Sequence, residues 1–310
     1  MSKIKSRQSR LGAALVFASL LWLTGGVSYG RIVFEGDIPS PVLGKSRKIH
    51  VYVPPSYDAD PKRKFPVLYV QDGQNAFSTA GPGAAFGWGN WELDKTVDRL
   101  IAEKKIEEII MVAVDCSSER YKEYRGPRGW TKGGMSEHFE KYETFLLKDL
   151  KPKIDKDYRT KKSAKDTGTL GSSMGGVVSL ALGWDNPEVF GKVASLSGAF
   201  QVEGKSCITA LAGSKGKKKP VRIYLDSGMT DYTGGDDGLK DTEAVAKQLT
   251  RLGWKKELMH FVDPPLKEEE LRALHLTDAK FKEALKSQHN ELYWRLRAWR
   301  ALEFLFPAKP

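Results

Sequence analysis

The stretch TGTLGSSMGGVVSLALGWD (167–185) decides the fold. Its first residues form a short run of small and apolar side chains, as a buried strand would. Its last residues, VVSLALGWD, carry helical spacing. Between them lies Gly171-Ser172-Ser173-Met174-Gly175-Gly176, which puts Ser173 at the centre of G-x-S-x-G. A serine is a poor nucleophile unless it projects toward a base and away from its own backbone. A sharp strand-to-helix turn projects it in that way, and flanking glycines let neighbouring backbone approach without a Cβ clash. Loose matches to the pentapeptide occur by chance in structural turns, but here a strand precedes it and a helix follows. Ser173 is therefore the candidate nucleophile, while Ser172 occupies the x position and points elsewhere.

Outward from this turn, strand-like and helix-like segments alternate. KIHVYVPPSY (48–57), FPVLYVQDG (65–73), EEIIMVAVDC (107–116), KVASLSGAF (192–200), VRIYLDSG (221–228) and KELMHFVDP (256–264) read as strands. WELDKTVDRLIAEK (91–104), HFEKYETFLLKDLKPKI (138–154), DTEAVAKQLTRLGW (241–254) and ELYWRLRAWRALEFLF (291–306) read as helices. Continuously apolar strands alternating with helices predict an α/β fold, with a mostly parallel sheet covered on both faces. No Pro/Ser linker divides the chain, so residues 31–310 read as one domain.

A nucleophilic serine needs a base, and in this kind of sheet the partners follow in the order Ser, Asp or Glu, His. His50 and His138 precede the serine, and His260 sits inside a strand. His275, in LRALHLTDA, reads as a helix-face residue. His289 lies in the polar turn SQHNELYW just before the final helix, where a base on a post-strand loop belongs. The acid is expected after the strand ending near Leu225, where LDSGMTDYTGGDDGL offers several carboxylates. Asp231 lies three residues past Gly228, a natural distance from the strand end. Asp237 stands directly before the next helix, where an N-cap is the alternative reading. Asp226 is still on the strand. The oxyanion hole would use the backbone N–H of Met174 and one from the loop after FPVLYVQDG, at Gln74.

The chain has 310 residues and a formal charge of +11. Lys3, Lys5, Arg7 and Arg10 precede the apolar run LGAALVFASLLWLTGGV (11–27), followed by Ser28-Tyr29-Gly30. A basic start, a short apolar centre and a small-x-small exit predict a secretory signal over residues 1–30, with an N-terminal anchor as the alternative. No Arg-Arg pair is present, so the general secretory route is expected, with a secreted or periplasmic product. Export would permit a disulfide between Cys116 and Cys207, both read as following strands, or leave both thiols free. The densest basic cluster, Lys215 with Lys217, Lys218 and Lys219, reads as a solvated loop, and no nucleic-acid partner is expected. No H-E-x-x-H pattern or phosphate-cradling glycine loop occurs, so neither a metal nor a cofactor is expected.

Several segments together are more specific than the serine pentapeptide: VYVPPSY (51–57), VLYVQDGQNAF (67–77), RYKEY (120–124), LKPKIDKDYRT (150–160), LGSSMGG (170–176), YLDSG (224–228) and HNELYWRLRAW (289–299). In this order the chain resembles the Putative esterase family of α/β-hydrolases, which includes enterochelin, feruloyl and acetyl-xylan esterases, S-formylglutathione hydrolases and mycolyltransferases. The resemblance implies an α/β-hydrolase fold, Ser173 as nucleophile, His289 as base and backbone donors at Gln74 and Met174. It also favours Asp237 over Asp231, because the family's acid precedes a helix by a nearly fixed distance.

The chain departs from that pattern at PPLKEEELRALHLTDAKFKEALKSQ (264–288), which separates the last strand from His289. Its composition is helical, and it reads as a lid or substrate-side wall, or as a passive surface helix. The Gly-rich loop holding Phe86 and Trp88, with Trp91 nearby, would form the opposite wall or belong to the core. The leading expectation is an exported serine esterase acting on a small-molecule or glycan-linked ester. An envelope acyltransferase using the same acyl-enzyme, and a glycan-binding relative without catalysis, are the competing readings.

Overall fold

The computed structural model describes residues 28–131, 136–216 and 218–309. Most of the segment read as a secretory signal, residues 1–27, lies outside the described residues.

Eight strands form one sheet: β1 (Arg31–Ile38), β2 (Arg47–Val53), β3 (Val67–Gln71), β4 (Ile110–Val114), β5 (Thr167–Ser172), β6 (Lys192–Leu196), β7 (Arg222–Ser227) and β8 (Leu258–Val262). Their spatial order is β1-β2-β4-β3-β5-β6-β7-β8. β1 pairs antiparallel with β2, and β2 antiparallel with β4. Every pairing from β4 to β8 is parallel. The expected mostly parallel α/β sheet is therefore the fold.

β3 and β4, VLYVQ and IMVAV, are buried along their whole length, as strands covered on both faces must be. Successive residues of β3 enter opposite halves of the core: Val67 and Tyr69 pack with Val177 and Phe190, while Leu68 and Val70 pack with Val97 and Leu302. The helix Leu93–Ala102 and the terminal helix Glu291–Leu305 cover the second face. The edge strand β1 was not anticipated. Its residues alternate between exposed and half-buried, RIVFEGDI, so its signal is weaker than that of the continuous apolar runs.

A helix over Val202–Gly213 lies between β6 and β7, where only a Lys-rich loop was expected. It carries Cys207 into the core, so Cys207 does not sit at a strand end, and both cysteines are free thiols. Residues 264–288 form two short helices, Glu268–Arg272 and Asp278–Lys286. Leu271 and Ala284 pack on Leu292 and Tyr293 of the terminal helix, with Trp88 and Phe281 against them. His275 lies in the turn between these two helices with φ of 51°, and so is not on a helix face as its sequence suggested. Among the described residues no helix is long and apolar enough to cross a membrane.

Candidate active site

The parallel strands place their carboxyl ends along one rim, and the candidate residues gather there. β5 ends at Ser172, and the helix Met174–Asp185 begins immediately after Ser173. Ser173 has φ 54° and ψ −123°, a sparsely populated region for a residue with a Cβ. Such strain costs of order 1–3 kcal/mol and persists only where surrounding structure enforces it. Here the Ser173 N–H donates to the Leu196 carbonyl at 2.9 Å, and its own carbonyl accepts from the amides of Gly176 and Ala199. The glycines allow the turn to close: a Cβ on Gly171 would lie 2.3 Å from the Gly175 carbonyl oxygen.

His289 Nε2 lies 3.0 Å from Ser173 Oγ, and His289 Nδ1 lies 2.6 Å from Asp237 Oδ1. The three side chains, from a strand-end turn and two separate loops, thus form one continuous hydrogen-bonded line. Asp237 is fully buried, and Asp237 Oδ2 accepts from the Gly228 amide at 2.5 Å and from Ser197 Oγ at 2.6 Å. Its role is not that of an N-cap, since Gly238 takes that position for the helix Leu239–Arg251.

Asp231 lies apart from this line. Its carboxylate accepts from the Thr233 amide and hydroxyl and from the Gly235 amide, a local turn that holds the carboxyl below the usual range despite partial burial. Asp226 is buried on β7 and pairs with Arg297 at 3.2 Å. Burial raises its carboxyl to about 6, with Arg297 opposing.

The Met174 amide is at the first helical position and has no intrahelical acceptor. Gln74 is in the tight turn Gly73–Asn75 that follows β3 and Asp72. Its side chain is clamped to Cys116: Gln74 Nε2 donates to Cys116 Sγ at 3.2 Å, and the Cys116 amide donates to Gln74 Oε1 at 3.1 Å. Burial, and secondarily the charge of Asp72, push the Cys116 thiol up to about 12, so it stays protonated. Asp72, just before this turn, is fixed by Arg120, whose Nε and Nη2 lie 2.6 and 2.8 Å from the two carboxylate oxygens.

A cavity of about 530 Å³ opens beside Ser173 and His289, lined by Phe86, Trp88, Trp91 and Trp294 among others. These aromatics of the Gly-rich loop thus all reach the cavity wall, Phe86 being 96% exposed and Trp91, only 1% exposed, belonging to the core as well. A second cavity, of about 280 Å³, adjoins His289 and takes Glu283, Lys286 and Ser287 from the 264–288 segment. Lys280 Nζ sits 4.3 Å from the centre of the Trp88 ring and ties that segment to the Gly-rich loop.

Residues 40–297 match the family described as Putative esterase. The chain belongs to that family. The chain is a hydrolase acting on esters, and it shares 32% identity over 179 residues with the endo-1,4-beta-xylanase/feruloyl esterase of Xylanibacter ruminicola. That match covers 55% of the esterase but only 23% of the bifunctional relative. A solved ferulic acid esterase superposes with a TM-score of 0.65 at 19% identity, covering 90% of this chain and 98% of that one. The enterobactin esterase of Shigella flexneri gives 0.62 at 18% identity, over 88% of this chain and 58% of the neighbour. These structural likenesses establish the α/β-hydrolase fold.

Sequence reading missed the polar support behind the site. Trp294 Nε1 donates to Ser197 Oγ at 3.2 Å, and Arg297 Nη2 also donates to that hydroxyl. The available signal was spacing: Trp294 and Arg297 are three apart, and so share one face of the terminal helix that follows His289. Ser197 gave no signal, since it looks like any residue leaving a strand.

Proposed function

We propose that this esterase hydrolyses a carboxylic ester through an acyl-enzyme on Ser173. The observation that carries the reading is the position of His289, in hydrogen-bond reach of both Ser173 Oγ and Asp237. His289 Nε2 takes the hydroxyl proton as Ser173 Oγ attacks the ester carbonyl carbon. Asp237 holds Nδ1–H, fixing the tautomer and stabilising the imidazolium that forms. The backbone N–H groups of Gln74 and Met174 stabilise the oxyanion; one such donor is worth about 3 kcal/mol of barrier. The tetrahedral intermediate collapses as His289 returns the proton to the departing alcohol. Water then attacks the acyl carbon with His289 as base, releasing the acid and restoring Ser173.

An ester of a hydroxylated or saccharide-linked alcohol is the substrate class we favour, supported by the aromatic lining of the cavity and by the feruloyl esterase relative. Export is supported by the basic-apolar-small pattern of residues 1–30. The insert 264–288 acts as a wall of the alcohol side, supported by its contribution of Glu283 and Lys286 to the cavity beside His289.

Fluorophosphonate labelling of residues 31–310, with mass mapping of the adduct, tests this mechanism. The probe reacts rapidly with an activated serine. An adduct on Ser173 supports it; no adduct on folded protein overturns it and brings the glycan-binding reading forward.

A further inference from the structure

Besides His289, two carboxylic acids and one guanidinium line the cavity of about 530 Å³: Asp72, Glu291 and Arg120. Asp72 and Arg120 neutralise each other through their two short hydrogen bonds. His289 is engaged by Asp237. Glu291 is different. It occupies the first turn of the terminal helix, two residues after His289, and has no ion-pair partner among the described residues. Among the described residues its one side-chain contact in hydrogen-bond range is Asn75 Nδ2, 3.5 Å from Oε1. The proposed mechanism gives it no task.

We propose that Glu291 is the specificity-determining residue of this cavity, admitting neutral substrates and excluding those that carry a carboxylate. This rests on the esterase mechanism above and concerns the selectivity of the same site. Among the described residues lining this cavity the one guanidinium, Arg120, is held by Asp72, so a substrate anion there would face the Glu291 carboxyl, while Lys286 stands in the adjoining cavity. The groups around that carboxyl are Asp72 and Arg120 from the loops after β3 and β4, Asn75 from the tight turn, and His289 from its own segment. Burial, followed by the negative charge of Asp72, raises Glu291 to about 7, against the pull of its own backbone N–H, His289 and Arg120. The exclusion therefore strengthens as pH rises through neutrality.

The test compares two 4-nitrophenyl esters of one chain length, monomethyl adipate (neutral) and adipate (anionic), at about pH 5.5 and about pH 8.5. Any effect of pH on the chemical step common to the two esters cancels in the ratio of their kcat/KM. The wild-type ratio of neutral to anionic ester is expected to rise about ten-fold between these pH values, as Glu291 ionises beside the bound anion. In Glu291→Gln the ratio should be flat, with the anionic ester gaining about ten-fold at the higher pH. A wild-type ratio that ignores pH, or one unchanged in Glu291→Gln, overturns the proposal and leaves the esterase reading intact. Binding of the same esters to Ser173→Ala, read by tryptophan quenching, separates the two. Discrimination in binding without turnover by the wild type would sink the esterase mechanism and keep the role of Glu291. Binding of neither ester, together with no turnover by the wild type, would overturn both.

Discussion

Ser197 donates a 2.6 Å hydrogen bond to Asp237 Oδ2, the carboxylate oxygen turned away from His289. The same hydroxyl accepts from Trp294 and Arg297, and Arg297 also pairs with Asp226. Asp237 is thus held on one side by His289 and on the other by a buried network reaching β7 and the terminal helix. A hydrogen bond to a charged group contributes about 1.5–3 kcal/mol. Ser197→Ala should therefore lower kcat about ten-fold or somewhat more, with little change in KM. Steady-state kinetics on a chromogenic ester check this, and an unchanged kcat would mean that the Gly228 amide and Arg297 suffice to position Asp237.

The two carboxylates that compete in the sequence are separated by geometry, and the kinetics should separate them as sharply. Asp237→Asn removes the acceptor that fixes the His289 tautomer and should reduce kcat by about 10³–10⁴. Asp231→Asn loosens a local turn that makes no hydrogen bond to His289, and should change kcat by no more than about three-fold, a barrier change of about 0.6 kcal/mol. Equal losses in the two variants would refute the assignment of the acid.

Arg297 is 1% exposed and faces both Asp226 and Asp237. Arg297→Met leaves two buried carboxylates without their shared cation, a change that commonly destabilises by about 3–5 kcal/mol. Thermal unfolding at neutral pH should show a large fall in Tm, and acidification should narrow the gap because protonating Asp226 removes part of the uncompensated charge. A Tm within a degree or two of wild type would contradict the buried-pair reading.

His50 bridges two carboxylates, with Nε2 2.9 Å from Asp115 and Nδ1 3.0 Å from Glu35. Burial lowers its pKa, but the hydrogen bonds to Asp115 and Glu35 outweigh burial, so the folded-state value is raised. A raised folded-state value means the contribution is fully present below the unfolded value of about 6.5 and is lost as pH rises through the folded one. The difference in urea midpoint between wild type and His50→Gln should therefore be largest near pH 5.5 and shrink toward alkaline pH. A difference that grows with pH would reverse the sign and exclude this account.

Cys116 touches the side chain of Gln74 yet carries a thiol pushed up to about 12. At pH 8 roughly one thiol in 10⁴ would be ionised, so iodoacetamide should inactivate the enzyme very slowly. Rapid loss of activity with an adduct on Cys116 would show a far more acidic thiol.

Some of this was written in local sequence, and some was not. The elbow around Ser173 is local: an apolar strand, a glycine-flanked serine and a helix within about twenty residues specify one turn, because few other residue patterns tolerate it. The parallel sheet was legible for the same reason, since β3, β4 and β5 are continuous buried runs. His289, the candidate base, stood out by elimination along the chain, and it meets Ser173 and Asp237 in the structure. The edge strand β1 and the helix Val202–Gly213 escaped, the first because half-exposed residues give a weak pattern, the second behind a basic loop.

The acid could not be read from residue spacing alone. Asp226, Asp231 and Asp237 lie within twelve residues, and their chemistry is identical. What distinguishes them is which one meets the His289 ring, and that depends on how far residues 264–288 carry the histidine back over the sheet. The Ser197–Arg297 support and the charge balance around Glu291 are likewise tertiary. Each depends on side chains a hundred or more residues apart meeting in space, the first in a dry interior, where hydrogen bonds and charges act strongly because water is excluded, the second along the wall of a cavity.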